Sequence, residues 1–202
     1  MKGCRINISV YFAVIIACIV VLDRTGLAAL ALLCAALHEA GHFTALRILK
    51  SQIEEISFKT FGINIRLSQK TRLSYRKEIF VALSGCASNL LFFTVSFICF
   101  KLQIFGVHAM VFCVMNLLLC VFNLLPIGPL DGGRALESVL CGHMQYGKAK
   151  DTVDLVSVLF IVPLSFLGVY LLKATGYNFS LILAALYLAG SMILKGKLLD
   201  FG

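Results

Sequence analysis

The residues best suited to chemistry lie in the run LLCAALHEAGHFTALRIL, residues 32–49. His38 and His42 stand four apart. On a helix that spacing puts both imidazoles on one face, a turn apart, where both can bind one metal ion. Glu39 lies beside them, placed to work on a metal-bound water, and the set is the HExxH pattern of zinc hydrolases. Ionisable groups in so apolar a helix are costly unless something compensates them. Two other readings use the same residues: histidines hydrogen-bonded across helices, and an ion or proton pathway in a transporter.

Catalytic zinc usually takes three protein ligands and keeps one position open. Candidates for the third near apolar segments are His108, Asp131, Glu137 and His143. Asp131 belongs to FNLLPIGPLDGGR, where Pro126, Gly128 and Pro129 break an apolar stretch and Gly132 and Gly133 permit unusual backbone angles. Broken backbone at membrane depth is tolerated only where protein or a water-filled cavity satisfies it. Asp131 at the end of that break is the best third ligand; the competing role is a cap on a helix beginning near Gly132.

The elements that must hold these residues are membrane spans. The chain has 202 residues, 60% of them apolar, 14% charged and none of them tryptophan, with a mean hydropathy of +0.95. Disorder, collagen and secreted disulfide scaffolds are excluded. Six apolar stretches stand out: Ile6 to Leu22, Gly26 to Leu49, Ile79 to Phe100, Val107 to Leu125, Val153 to Leu172 and Phe179 to Leu194. The first could be a signal peptide, but no convincing A-x-A cleavage site follows it, so it is read as a helix. The expected fold is an all-α polytopic membrane protein of about six transmembrane helices, forming one domain over 1–202.

The net charge of +8 fits this topology. With the N-terminus inside, 15 of the 18 basic residues fall on the cytoplasmic side, leaving Arg24, Lys101 and Lys173 outside. The reading is N-in, C-in, with the HEAGH and Asp131 towards the cytoplasm, and nucleic acid is not needed to explain the charge. The eight cysteines form no CxxC pair and read as apolar packing residues. Between the second and third stretches, Ile56 and Phe58, then Ile63, Ile65 and Leu67, alternate with polar residues around Gly62. That pattern predicts either an interfacial β-hairpin with a free edge for an added strand, or an amphipathic loop anchored by Lys59 and Arg66.

HEAGH in an early span with NLLPIGPLDGGR in a later one resembles the site-2 proteases, zinc metalloproteases that cut substrates within the membrane. The N-x-x-P-x-x-P-L-D-G-G wording is most similar to the bacterial sporulation stage IV factor B subgroup, which processes a sigma-factor precursor. The resemblance covers about Gly26 to Lys150. It implies one zinc ion per chain held by His38, His42 and Asp131, with Glu39 as catalytic base and Asn123 engaging substrate backbone. For Asn123 an interhelical hydrogen bond is the other role. The stretch ALSGCASNLLF resembles the family's A-x-x-G-P-x-x-N, with Cys86 in place of the proline, and Gly85, Ser88 and Asn89 there also suit simple close helix packing.

The resemblance further implies a multi-pass protein of the bacterial cell membrane. Its partners would be the lipid bilayer, membrane-protein substrates with a transmembrane or membrane-associated segment, and a membrane-embedded regulator. Neither an inserted PDZ domain nor a CBS domain after the sixth stretch is expected. A metal or proton transporter and a catalytically silent relative that binds membrane proteins are the alternatives.

Overall fold

The computed structural model describes residues 5–8, 14, 17–18, 21, 23–51, 53–59, 62–67 and 73–199. In chain order the elements are β1 (Arg5–Ile8), α1 (Leu27–Ile48), β2 (Ile53–Lys59), β3 (Gly62–Leu67), α2 (Tyr75–Lys101), α3 (Gly106–Asn123), α4 (Asp131–Cys141), α5 (Tyr146–Thr175) and α6 (Ser180–Leu199). Contacts divide the chain into two compact units, Met1–Lys77 with Ser84–Val121, and Glu78–Leu83 with Phe122–Gly202.

Four helices are long and apolar enough to cross a membrane: α1, α2, α3 and α5. Large apolar side chains such as Leu118, Leu155, Leu159 and Phe166 are exposed along them, as in a protein whose solvent is lipid. The chain is thus an integral membrane protein, with fewer described spans than the six expected. The apolar part of α6, Ser180–Ile193, is a shorter helix. The first stretch opens as the strand β1 rather than as a helix at Ile6. Arg5, Ile6, Asn7 and Ile8 alternate polar and apolar, the period of a strand. Most of the remainder of that stretch, to Leu22, lies outside the described residues.

In the first unit, β1, β2 and β3 form a three-stranded sheet in that order. β1 runs parallel to β2, aligning Ile6 with Ile56 and Ile8 with Phe58. β2 and β3 are antiparallel, with Ile56 opposite Ile65 and Phe58 opposite Ile63, and the register is irregular between Ile53 and Glu55. Because β1 takes one side of β2, β3 is an edge strand of this sheet.

The helices of this unit begin and end for identifiable reasons. Asp23 caps α1: one carboxylate oxygen accepts from the Thr25 backbone N–H at 2.9 Å and hydroxyl at 2.6 Å, the other from the Ala28 N–H at 2.7 Å. At its far end Lys50 turns to φ 51° and the Ser51 N–H closes onto the Leu46 carbonyl. α2 stops the same way, with Gln103 at φ 59° and the Ile104 N–H on the Cys99 carbonyl.

Small residues let α1 and α2 touch backbone to backbone. A Cβ at Gly41 would lie 2.5 Å from the Ser84 carbonyl oxygen and 2.8 Å from the Ser88 Cβ. Without a hydrophobic drive between helices in lipid, such close approach and side-chain hydrogen bonds hold the bundle. Asn116 of α3 donates to the Phe112 carbonyl at 2.9 Å and to the Cys34 sulfur of α1 at 3.2 Å, and the Cys120 thiol reaches the Cys86 carbonyl at 3.5 Å.

The second unit is built around Ile127, Ile161 and Leu188, with Phe122, Leu125, Leu130, Leu164, Ala189 and Met192 packed against them. Ile127, at the centre of the Pro-Ile-Gly-Pro break, is fully buried. It anchors the irregular segment to α5 and α6. The Gly128 N–H, which no helix satisfies, donates to the Ser157 hydroxyl at 2.9 Å, and that hydroxyl donates to the Val153 carbonyl at 2.6 Å.

Candidate metal centre

His38 and His42 are buried on one face of α1, together with Cys34 one turn earlier. Their rings meet edge to face, with centroids 4.8 Å apart. The two Nε2 atoms lie 3.2 Å from each other, while each Nδ1 turns towards α2. His38 Nδ1 is 3.2 Å from Asn89 Oδ1, and His42 Nδ1 is 3.4 Å from the Ser84 hydroxyl. Ser88 adds a bond from its hydroxyl to the Leu37 carbonyl at 2.8 Å.

Gly85 makes this arrangement possible. A side chain there would run into His42 Nε2 and would come within 2.7 Å of His38 Cε1. The stretch from Ser84 to Asn89 therefore does more than pack two helices: it offers a cleft for two rings and a polar partner for each. Ser84 was not singled out in the sequence, and Asn89 stood out only within ALSGCASNLLF, where close helix packing was its other role; the structure makes them the polar partners of the two rings. One-turn spacings, Ser84 to Ser88 and Gly85 to Asn89, put these residues along a single face of α2.

Glu39 is half-buried on α1 next to His38. Asp131 is the first residue of α4 and is buried at 7% exposure. The capping position belongs to Leu130, in extended conformation, so Asp131 does not occupy the N-cap. A negative charge is favoured in that first turn by the aligned peptide dipoles. The helix start is folded tightly onto the preceding break. A Cβ at Gly132 would collide with the Leu124 carbonyl, and one at Gly133 with the Ile127 carbonyl.

Asn123 is the last residue of α3 and is half-buried. The other candidates for a third ligand differ from Asp131 in exposure: His108 and His143 are exposed and Glu137 is half-buried. Among the described residues, His38, His42 and Asp131 are the imidazole and carboxylate side chains that are buried, the two histidines in the first unit and Asp131 in the second. Two neutral nitrogens and one carboxylate oxygen suit zinc.

Residues 103–164 match the model of Peptidase family M50. That segment contains Asn123, the Pro-Ile-Gly-Pro break and Asp131, and lies outside the HEAGH. The fold is similar to that of a solved structure, the site-2 protease from Methanocaldococcus jannaschii. The TM-score is 0.65 at 22% identity, covering 93% of this chain and 89% of that one. A search of curated proteins gives no match.

Proposed function

We propose that the protein is an intramembrane zinc metalloprotease of the site-2 type, hydrolysing a peptide bond in or near a transmembrane segment of another membrane protein. One observation carries the reading: two imidazoles buried in an apolar helix converge through their Nε2 atoms, a geometry that two lone pairs adopt around a shared cation. The M50 match and the likeness of fold support it.

In this reading His38, His42 and Asp131 hold one zinc ion per chain. The ion, when bound, supplies Lewis acidity for a scissile carbonyl and makes a nearby water acidic at neutral pH. Glu39 takes the proton from the attacking water and hands it to the departing amine. The Asn123 side-chain amide, at the end of α3, donates to the substrate backbone and steadies the carbonyl oxygen as it gains charge. A substrate helix hides its carbonyls in internal hydrogen bonds, so the target segment must unwind first. The β3 edge offers an unwound segment a strand to pair with.

The placement of basic residues supports an N-in, C-in orientation with the site towards the cytoplasm. A bacterial cell membrane, a sigma-factor precursor as substrate and a membrane-embedded regulator follow from the wording of the Asp131 motif. They are tested by co-expression with such a precursor.

The decisive experiment measures zinc per chain and cleavage of a single-span reporter in lipid nanodiscs. Wild type should carry about one zinc and cut. Glu39→Gln should keep the zinc and lose about 10²–10⁴-fold in rate, the usual share of general acid–base catalysis. Asp131→Ala should lose both. Zinc retained in Asp131→Ala would remove it from the ligand set, and metal flux through vesicles without cleavage would favour the transporter.

A further inference from the structure

We infer that Asn89 is a positioning residue that selects the metal-competent tautomer of His38. The inference rests on the metal-site reading above and goes beyond it to a residue outside the ligand set. A neutral imidazole carries one N–H and one lone pair, and the partner of one nitrogen decides which atom has which. His38 Nδ1 lies 3.2 Å from Asn89 Oδ1. A carbonyl oxygen can only accept, so the proton sits on Nδ1 and the lone pair is left on Nε2, the atom that faces His42.

His42 has a counterpart in Ser84, but at 3.4 Å and through a hydroxyl, which can donate or accept and so imposes no tautomer. The choice therefore falls to Asn89. Its amide is fully buried, and its Nδ2 makes no hydrogen bond. An orphaned buried donor is unfavourable, yet turning the amide over would be worse for metal binding. Nδ2 would then donate to Nδ1 and force the proton onto Nε2. His38 Nε2–H would bond His42 Nε2 across their 3.2 Å separation, and the pair would close on itself. The observed amide orientation thus leaves His38 Nε2 a lone pair whichever tautomer His42 takes, whereas the reversed one puts a proton on the atom that would ligate.

The test uses the full chain in detergent micelles with Co2+ as the probe. Asn89→Asp keeps an acceptor at the same place; Asn89→Leu keeps the size and removes it. Asn89→Asp should bind Co2+ much as wild type does. Asn89→Leu should bind about 10–100-fold more weakly, the usual cost of losing the outer partner of a ligating histidine, with a changed cobalt absorption spectrum. In metal-free wild type, nitrogen NMR of labelled histidine should find the His38 proton on Nδ1, a readout that does not require the leucine variant to fold.

Equal affinity for Asn89→Leu and wild type would overturn the inference. So would an aspartate variant as weak as the leucine one, or a His38 proton found on Nε2. If wild type bound no Co2+ at all, the metal-site reading would fail by itself, and the nitrogen spectrum would still uphold or overturn the hold of Asn89 on Nδ1.

Discussion

At the scale of single residues, the site depends as much on what is missing as on what is present. The absent side chain of Gly85 leaves the space that the His38 and His42 rings fill. Gly85→Ala should therefore displace both rings. The expected outcome is a loss of about 1–3 kcal/mol in unfolding free energy, the usual cost of overpacking, together with weakened cobalt binding. Thermal unfolding and a cobalt titration check the two separately, and unchanged affinity would show that the rings can move without penalty. The HExxH was legible in the sequence because His and Glu are rare in an apolar helix and their spacing has a direct chemical meaning. The same holds for Asp131 after its proline–glycine break. Asn89 was not legible, because an asparagine on a small-residue face looks the same whether it packs or binds. Its partner lies 51 residues away, at a separation set by how two helices cross.

At the scale of elements, two local devices fix where the functional helices start. Asp23 receives three hydrogen bonds ahead of α1, and those to Thr25, side chain first, hold its carboxyl below the usual carboxylate range. A group whose pKa is lowered on folding contributes above its unfolded pKa and loses that contribution as pH falls through the folded one. Amide exchange at Ala28 and its neighbours should therefore quicken below the carboxylate range. Asp23→Ala should show the faster exchange already at neutral pH. If exchange were equal in the two proteins, the cap would have no role in holding the first turn. The start of α4 relies on glycines instead. Gly133→Ala sets a methyl against the Ile127 backbone, which has no flexible end to yield. The variant should unfold well below wild type and release Asp131 from its place, read as a lowered melting temperature and lost zinc. The glycines were visible in sequence as breakers, but which carbonyls they approach depends on how the chain folds back. β1 was hidden for a different reason: hydropathy averaged over a span merges Ile6 and Ile8 with the apolar residues that follow, and outweighs a four-residue alternation.

At the scale of the whole molecule, the prediction concerns orientation. A reporter placed in the turn at Gly142 should be active in the cytoplasm, and one placed at Gln103 outside it. The reverse result would invert the topology and move the site to the other face of the membrane. Hydropathy made the membrane class plain, since burial in lipid demands long apolar helices whatever their packing. It could not set the number of spans, because end segments such as Ser180–Ile193 sit near the minimum length. The buried cysteines open another use of the molecule. Cys34, Cys86, Cys113 and Cys120 are thiols outside any disulfide, each at most 5% exposed, and they lie on three different helices of one unit. A maleimide can reach them only when those helices part. Their labelling rate is thus a stopwatch for breathing of the bundle, and its acceleration by an added single-span peptide would time the moment at which a client is let in.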